Sequence, residues 1–145
     1  MSVTVPNSVT TIGTQAFSGC DGLSAVNLPK SLLHIRSLAF SSCTSLTTIT
    51  IPASVKTMED MAFTYCTSLT SVNIPEGVAK LGYDIFYGCN KLTKINVFWG
   101  TPLDIDIELA FGLALKNVSL IVPKGASDKY KESVEWGEFK TITER

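Results

Sequence analysis

The chain has 145 residues, enough for one domain, and 45% of them are hydrophobic, which suffices to bury a core. A formal net charge of −1 and the lack of any Lys or Arg run exclude nucleic acid and anionic membrane surfaces as expected partners. No apolar stretch approaches the roughly 18 residues a spanning helix needs, so no membrane insertion is expected in this segment.

In chain order, the first predicted element is a strand at 3–5, closed by Pro6. The same strand pattern returns at 26–28, 49–51, 72–74, 95–97 and 120–122, each except 95–97 closed by a proline. Pro6, Pro29, Pro52 and Pro75 lie 23 residues apart, as do Cys20, Cys43, Cys66 and Cys89. Phe17, Phe40, Phe63 and Phe86 keep the interval too, as do Leu23, Leu46, Leu69 and Leu92. A fixed period with matched apolar and turn positions is the signature of a solenoid, whose units bury their apolar sets only against their neighbours.

Within a unit, Leu46 to Ile51 alternates: Ile49 and Ile51 point to one side, Thr48 and Thr50 to the other. Pro52 ends the strand because it has no N–H for the next rung. A second short strand is expected near Val55. Met58, Ala62, Phe63 and Cys66 then follow at intervals of three and four, predicting a short helix or helical turn. Asp21, Thr44, Thr67 and Asn90, each just after a Cys, suit a return turn. Stacked in register, the strands make a parallel sheet on one face, with rungs about 4.8 Å apart.

The period fails at Phe98. The expected organisation is therefore four 23-residue units over 1–97, a degenerate last unit over 98–122 and a capping segment over 123–145. In the last, Ser127 is expected to N-cap a helix through Val134, with Trp136, Phe139 and Ile142 covering the open end and Trp99 joining that closure. The first strand begins almost at Met1, so Met1 reads as an added start and the chain as the C-terminal portion of a longer protein whose export signal has been lost. An uncapped first strand predicts self-association through the N-terminal edge.

The run Leu-Thr-Ser-Val-Asn-Ile-Pro-Glu-Gly-Val over 69–78, with Ile-Gly at 12–13, Ala-Phe at 16–17 and Cys-Asp-Gly-Leu at 20–23, resembles the BspA-like, or treponemal-type, leucine-rich repeat. Phe98-Trp99, Phe111-Gly112 and the tail from Leu120 resemble the degenerate last repeat and closure of such proteins. The resemblance implies an α/β solenoid, a right-handed leucine-rich-repeat superhelix. It also implies a surface-exposed or secreted bacterial protein used for adhesion to host matrix or to other cells.

The outward strand positions are the main ligand-binding candidates: Thr4, Asn27, Thr50, Asn73 and Asn96 in one column, Thr48, Ser71 and Lys94 in the next, beside Ser2 and Ala25. Apart from Lys94, they make an uncharged, hydrogen-bonding face about 24 Å long. The bland alternative is that Thr favours strands and that stacked Thr and Asn side chains bond one another. Aromatic candidates lie on the turns, at Tyr65 and Tyr87.

A lone Cys every 23 residues lacks metal-ligand spacing, and a ladder of buried thiols is expected in place of disulfides. His34 is expected to face solvent. Arg36 and Glu59, in one column of adjacent units, are expected to pair. Asp104, Asp106 and Glu108 form a weak calcium candidate without a ligand loop. No nucleophile–base pair, metal motif or phosphate loop suggests an enzyme or a cofactor. The expected function is non-enzymatic binding of an extracellular protein or glycan, with a structural spacer as the alternative.

Overall fold

The computed structural model describes residues 1–105 and 107–145, with side chains throughout except at 107, 108 and 113–115. Among the described residues eleven strands form sheets in which every pairing is parallel. Those of the long face are β1 (Ser2–Thr4), β3 (Ala25–Asn27), β5 (Thr48–Thr50), β7 (Ser71–Ile74), β9 (Lys94–Val97), β10 (Ser119–Val122) and β11 (Thr141–Glu144). A second face carries β2 (Thr11–Ile12), β4 (His34–Ile35), β6 (Thr57–Met58) and β8 (Lys80–Leu81). On the long face β5, β7, β9, β10 and β11 form one continuous sheet, and β1 pairs with β3 as a separate two-stranded piece.

Register follows the 23-residue period: Val3 sits opposite Val26, Ile49 opposite Val72, and Val72 opposite Ile95. Rigid register is expected, because a one-residue slip would turn every Ile and Val of the inner column to solvent. The first three strands start and end one residue earlier than the sequence pattern suggests. Val5 still donates its N–H to Asn27 O, and Ile74 and Val122, which also precede prolines, stay paired, so the proline ends the ladder without excluding its predecessor. The second short strand lies at Thr57–Met58 and its equivalents, just past Val55.

The segment with helical spacing forms no helix in the first four units. It is a chain of turns, with Ala16, Ser18 and Cys20 each donating N–H to the carbonyl three residues back, at Gly13, Gln15 and Phe17. The intervening amides point to the next unit: Gln15 to Ser37, Phe17 to Ala39, Gly19 to Ser41. The pattern repeats from Leu38, Phe40 and Ser42 to Asp60, Ala62 and Thr64. Alternate amides can point outward only because two positions per unit are left-handed. Gln15, Leu38, Met61 and Asp84 form one such column (φ 49 to 59°), and Gly19, Ser42, Tyr65 and Gly88 the other. A spacing of three and four thus arises here from a third ladder between units rather than from an α-helix.

The core is a set of columns. Phe17, Phe40, Phe63, Phe86 and Phe111 stack with ring centroids 5.1 to 5.8 Å apart and near-parallel planes. Leu23, Leu46, Leu69 and Leu92 and the inner strand residues Ile49, Ile51, Val72 and Ile74 are buried beside them. The Ala-Phe pair reappears at Ala110-Phe111, where Asp84 and Ile85 donate to the carbonyls of Leu109 and Ala110, so the turn ladder survives the change of spacing.

At the far end Trp99, Tyr130, Trp136 and Phe139 are buried and pack on Phe111 and on one another, with Trp136 5.9 Å from Trp99 and 6.0 Å from Phe111. The polar atoms of these rings are satisfied: Trp99 Nε1 donates to Val78 O, Tyr130 Oη to Trp99 O and Trp136 Nε1 to Leu103 O. The helix α1 (Ile107–Phe111) precedes a 3-10 segment at Gly112–Asn117. The helix α2 (Ser127–Glu132) is shorter than expected and its N-cap is Ala126. Ser127 does not cap it; instead the Ser127 N–H donates to Glu144 Oε1, so β11 supplies the capping carboxylate. Val134 lies beyond the helix and is exposed. The tail also adds a rung, since β11 pairs with β10 from Ser119↔Thr141 to Val122↔Glu144.

Candidate ligand-binding face

The register places the predicted site residues on one surface. Thr48, Ser71 and Lys94 are consecutive neighbours in one column, and Thr50, Asn73 and Asn96 in the next. Thr4 and Asn27 pair in the same sense on the β1–β3 piece. Thr4, Asn27, Thr48, Thr50, Asn73 and Lys94 are exposed, while Ser71 and Asn96 are half-buried.

Part of this hydrogen-bonding capacity is used internally. Asn27 Nδ2 donates to Thr4 Oγ1 at 3.2 Å, and Asn96 Nδ2 to Asn73 Oδ1 at 2.5 Å. Beside the strands, the hydroxyls of Thr70 and Thr93 donate to the carbonyls of Thr47 and Thr70. The face continues further than the sequence reading took it. Ser119 and Thr141 extend the first column and Ile121 and Thr143 the second, with Thr141 Oγ1 donating to Ser119 Oγ. The alternation of Thr-Ile-Thr-Glu was the available signal, but only Ile142 was weighed there, as a cover.

The face is interrupted once. Thr70, Thr93 and Ser119 donate N–H to the carbonyls of Thr47, Thr70 and Thr93 across successive strands, and Ser24 does so to Met1. Among the described residues no equivalent bond joins Thr47 to Ser24, and no ladder joins β3 to β5. The cleft of about 530 Å³ at this break is lined by Asn27, Leu28, Lys30, Thr50, Ile51 and Pro52, among others. Leu28 is the one residue without β-branching in the column Val5, Leu28, Ile51, Ile74, Val97, Val122. It is only half-buried, which fits the weaker preference of unbranched side chains for a pleated surface.

The other predicted groups resolve as follows. All four cysteines are free thiols; Cys43, Cys66 and Cys89 are buried and Cys20 is half-exposed. Cys43, Cys66 and Cys89 Sγ donate to the carbonyls of Phe17, Phe40 and Phe63 at 3.1 to 3.2 Å, each reaching one unit back. Burial, reinforced by the neighbouring thiols of Cys66 and Cys20, pushes Cys43 up to about 12. Cys66 is raised still further, first by its Cys89 neighbour and then by burial.

His34 does not simply face solvent: it is half-buried on the second sheet, with Nδ1 2.9 Å from Thr57 Oγ1. Arg36 Nη1 and Glu59 Oε1 pair at 2.5 Å, and Glu59 Oε2 accepts from Ser37 N and Oγ. Burial raises the Glu59 carboxyl, but the Arg36 and Ser37 hydrogen bonds outweigh it and hold the group below the usual range. In the acidic cluster Asp104 is exposed; Asp106 and the Glu108 side chain lie outside the described residues.

Stacked parallel strands at a 23-residue period, with an inward Leu/Ile/Phe core and an outward polar sheet face, define a leucine-rich-repeat solenoid. The model of the BspA type leucine rich repeat region matches residues 1–102 in six copies, and the chain belongs to that family. Solved structures are similar to it, among them the following three. A leucine-rich repeat protein of Bacteroides ovatus is 34% identical, over 67% of this chain and 25% of that one, with a TM-score of 0.64. The leucine rich repeat protein of T. pallidum is 26% identical, over 98% of this chain and 59% of that one, with a TM-score of 0.67. A leucine rich cell surface protein of Faecalibacterium prausnitzii is 26% identical, over 99% of this chain and 31% of that one, with a TM-score of 0.66. The chain thus spans between a quarter and about three-fifths of the length of these relatives. No curated protein matches it.

Proposed function

We propose that the chain is a non-enzymatic binding module of a cell-surface or secreted bacterial protein, engaging an extracellular protein or glycan through the Thr/Asn columns of its long sheet. The observation that carries this is the polar sheet face, neutral in its Thr, Ser and Asn positions and charged at Lys94, in a family that includes a leucine rich cell surface protein. Exposed Thr48, Thr50, Asn73 and Lys94 offer donors and acceptors on a rigid backbone, which lowers the ordering cost of binding an extended partner. The test is capture from a panel of matrix proteins and glycans by the wild-type chain and by a Thr50→Lys/Asn73→Lys variant. Capture by the wild type and its loss in the variant supports the reading; no capture across the panel counts against it.

The mutual bonds of Asn96 with Asn73 and of Asn27 with Thr4 favour one second reading, a structural spacer whose outward side chains serve each other. In that case the double variant changes nothing but stability. We also propose that the N-terminal edge supports self-association, because Val3, Val9, Phe17 and Cys20 are only partly buried there.

A further inference from the structure

The geometry points to a second binding site, on the turn side of the solenoid: a pocket for a neutral sugar ring formed by Tyr65, Tyr87, Gly88, Asn90 and Asn117. It rests on the reading of the chain as a binding module and adds a ligand class and a location.

The first observation is a bulky side chain on left-handed backbone in a column where half of the members are glycine. Tyr65 has φ 57°, in the column whose other members are Gly19, Ser42 and Gly88. Left-handed backbone is costly for a bulky side chain and free for glycine. The repeat supplies glycine at two of these four positions, so the fold does not need a tyrosine here. Strain kept where the scaffold offers a relaxed alternative is an indication of function.

The second observation is that the surroundings accommodate the ring. Gly88 lies under Tyr65, and a Cβ there would stand 2.5 Å from Tyr65 Cδ1. Tyr87 meets Tyr65 edge to face, with centroids 5.5 Å apart. Both rings remain about half exposed, Tyr65 at 49% and Tyr87 at 47%, so neither is consumed by the core. In the column of Tyr87 the earlier units carry Ser18, Ser41 and Thr64. The aromatic groups are thus local departures from the repeat, gathered at one place.

The third observation is the chemistry of the pocket beside them. It has a volume of about 410 Å³, within the roughly 300–1,000 Å³ of small-molecule sites. Phe111 lines it together with the two tyrosines, and Asn90 and Asn117 supply amides. Among the described residues its lining has no charged side chain, which disfavours ionic ligands. A tyrosine face is electron-rich and attracts the C–H face of a pyranose ring, whose hydrogens are polarised by the attached oxygens. Each Asn amide offers both donors and acceptors, matching hydroxyl groups that are themselves both. An apolar peptide side chain would satisfy the rings but leave the hydrogen-bonding capacity of the two exposed amides unused. A sugar ring satisfies both parts of the lining.

The test is an NMR titration of the isotope-labelled chain with the methyl glycosides of glucose, galactose and N-acetylglucosamine. The expected result is saturable shifts of the Gly88, Asn90 and Asn117 amides with at least one of them. Tyr65→Gly and Tyr87→Ala should each weaken that response at least tenfold. Tyr65→Gly should do so with Tm unchanged or raised by a few degrees, since glycine relieves the backbone; a ring serving packing alone would lower Tm and leave no sugar response to lose. Thr50→Lys/Asn73→Lys should keep the sugar response. No saturable shift with any of the three, shifts confined to the Thr/Asn face, or full response in both tyrosine variants would each overturn the inference. Capture of a matrix protein without any sugar response removes this site and leaves the proposed function standing; absence of both removes both.

Discussion

Phe17 at the N-terminal end and Phe111 at the C-terminal end close the same stack of rings under different conditions. Phe17 stacks on Phe40 and is half-buried, with Val3, Val9 and Cys20 partly exposed around it. Phe111 stacks on Phe86 and is then covered by Trp136 and Phe139, 6.0 and 5.9 Å away, and is almost fully buried. Backbone pairing follows the same trend: the long sheet is continuous from β5 to β11 and broken between β3 and β5. In a solenoid each unit is stabilised by its own contacts and by those with its neighbours. The difference teaches that a repeat residue contributes according to how many neighbours it has, whatever its column.

The largest effects should come from core rings with neighbours on both sides. Phe63→Ala and Trp136→Ala should each cost roughly 3–5 kcal/mol, whereas Phe17→Ala should cost roughly 0.8–1.5 kcal/mol, half of the full transfer value. Chemical denaturation of the three variants measures this. Equal losses at Phe17 and Phe63 would remove the contrast between the two ends.

Next in size is the break in the sheet. The Thr47 amide, which no carbonyl of the preceding strand accepts, should exchange with solvent well before those of Thr70 and Thr93, whose partners are Thr47 and Thr70. Residue-resolved hydrogen exchange should show units one and two opening below the global unfolding free energy. Equal protection at all three threonines would mean that the sheet is continuous in solution.

The thiols sharpen the comparison chemically. Half-exposed Cys20 should react with a thiol reagent in the native protein, and Cys43, Cys66 and Cys89 only after unfolding. The raised Cys43 value carries a sign. Protonated thiol is favoured by the fold, so its contribution is complete below the ordinary value of 9.0 and is lost as pH rises towards about 12. Native reaction of all four thiols at neutral pH would contradict the buried ladder.

The smallest effect concerns Glu59. Its carboxyl is held below the usual range, so the stability it adds is present above the ordinary carboxylate value. That stability is lost as pH falls through the folded one. Because Arg36 is about half exposed, Glu59→Gln should cost under about 1 kcal/mol at neutral pH and nothing once the carboxylate is protonated. A pH series of denaturation midpoints for the two proteins reads this difference directly.

Much of this architecture was legible in the period. Proline, Leu, Phe and Cys columns mark the strand ends to within a residue and name the core, because a residue that recurs at one phase of a solenoid meets its own copy in the next unit. Met58 to Cys66 shows where pattern reading stopped. Its three-and-four spacing was compatible with a helix, and the left-handed backbone at Met61 and Tyr65 that turns it into an inter-unit ladder has no marker there, since neither residue is glycine. The Thr/Asn columns were legible as a surface, but their internal hydrogen bonds depend on side-chain distances that alternation does not encode.

The sequence by itself determined the repeat, the family, the sheet and the identity of the core columns, because all of these follow from local periodicity and stacking. The tertiary structure decided the rest. Within the closure expected of Trp136 and Phe139 it aimed Tyr130 Oη at Trp99 O and Trp136 Nε1 at Leu103 O, and it used Glu144 to cap α2. It also set the Tyr65 ring against Gly88 and edge to face with Tyr87. Each of these depends on where chain segments outside the repeat, or side chains departing from it, meet in space, and a period specifies only what is the same from one unit to the next.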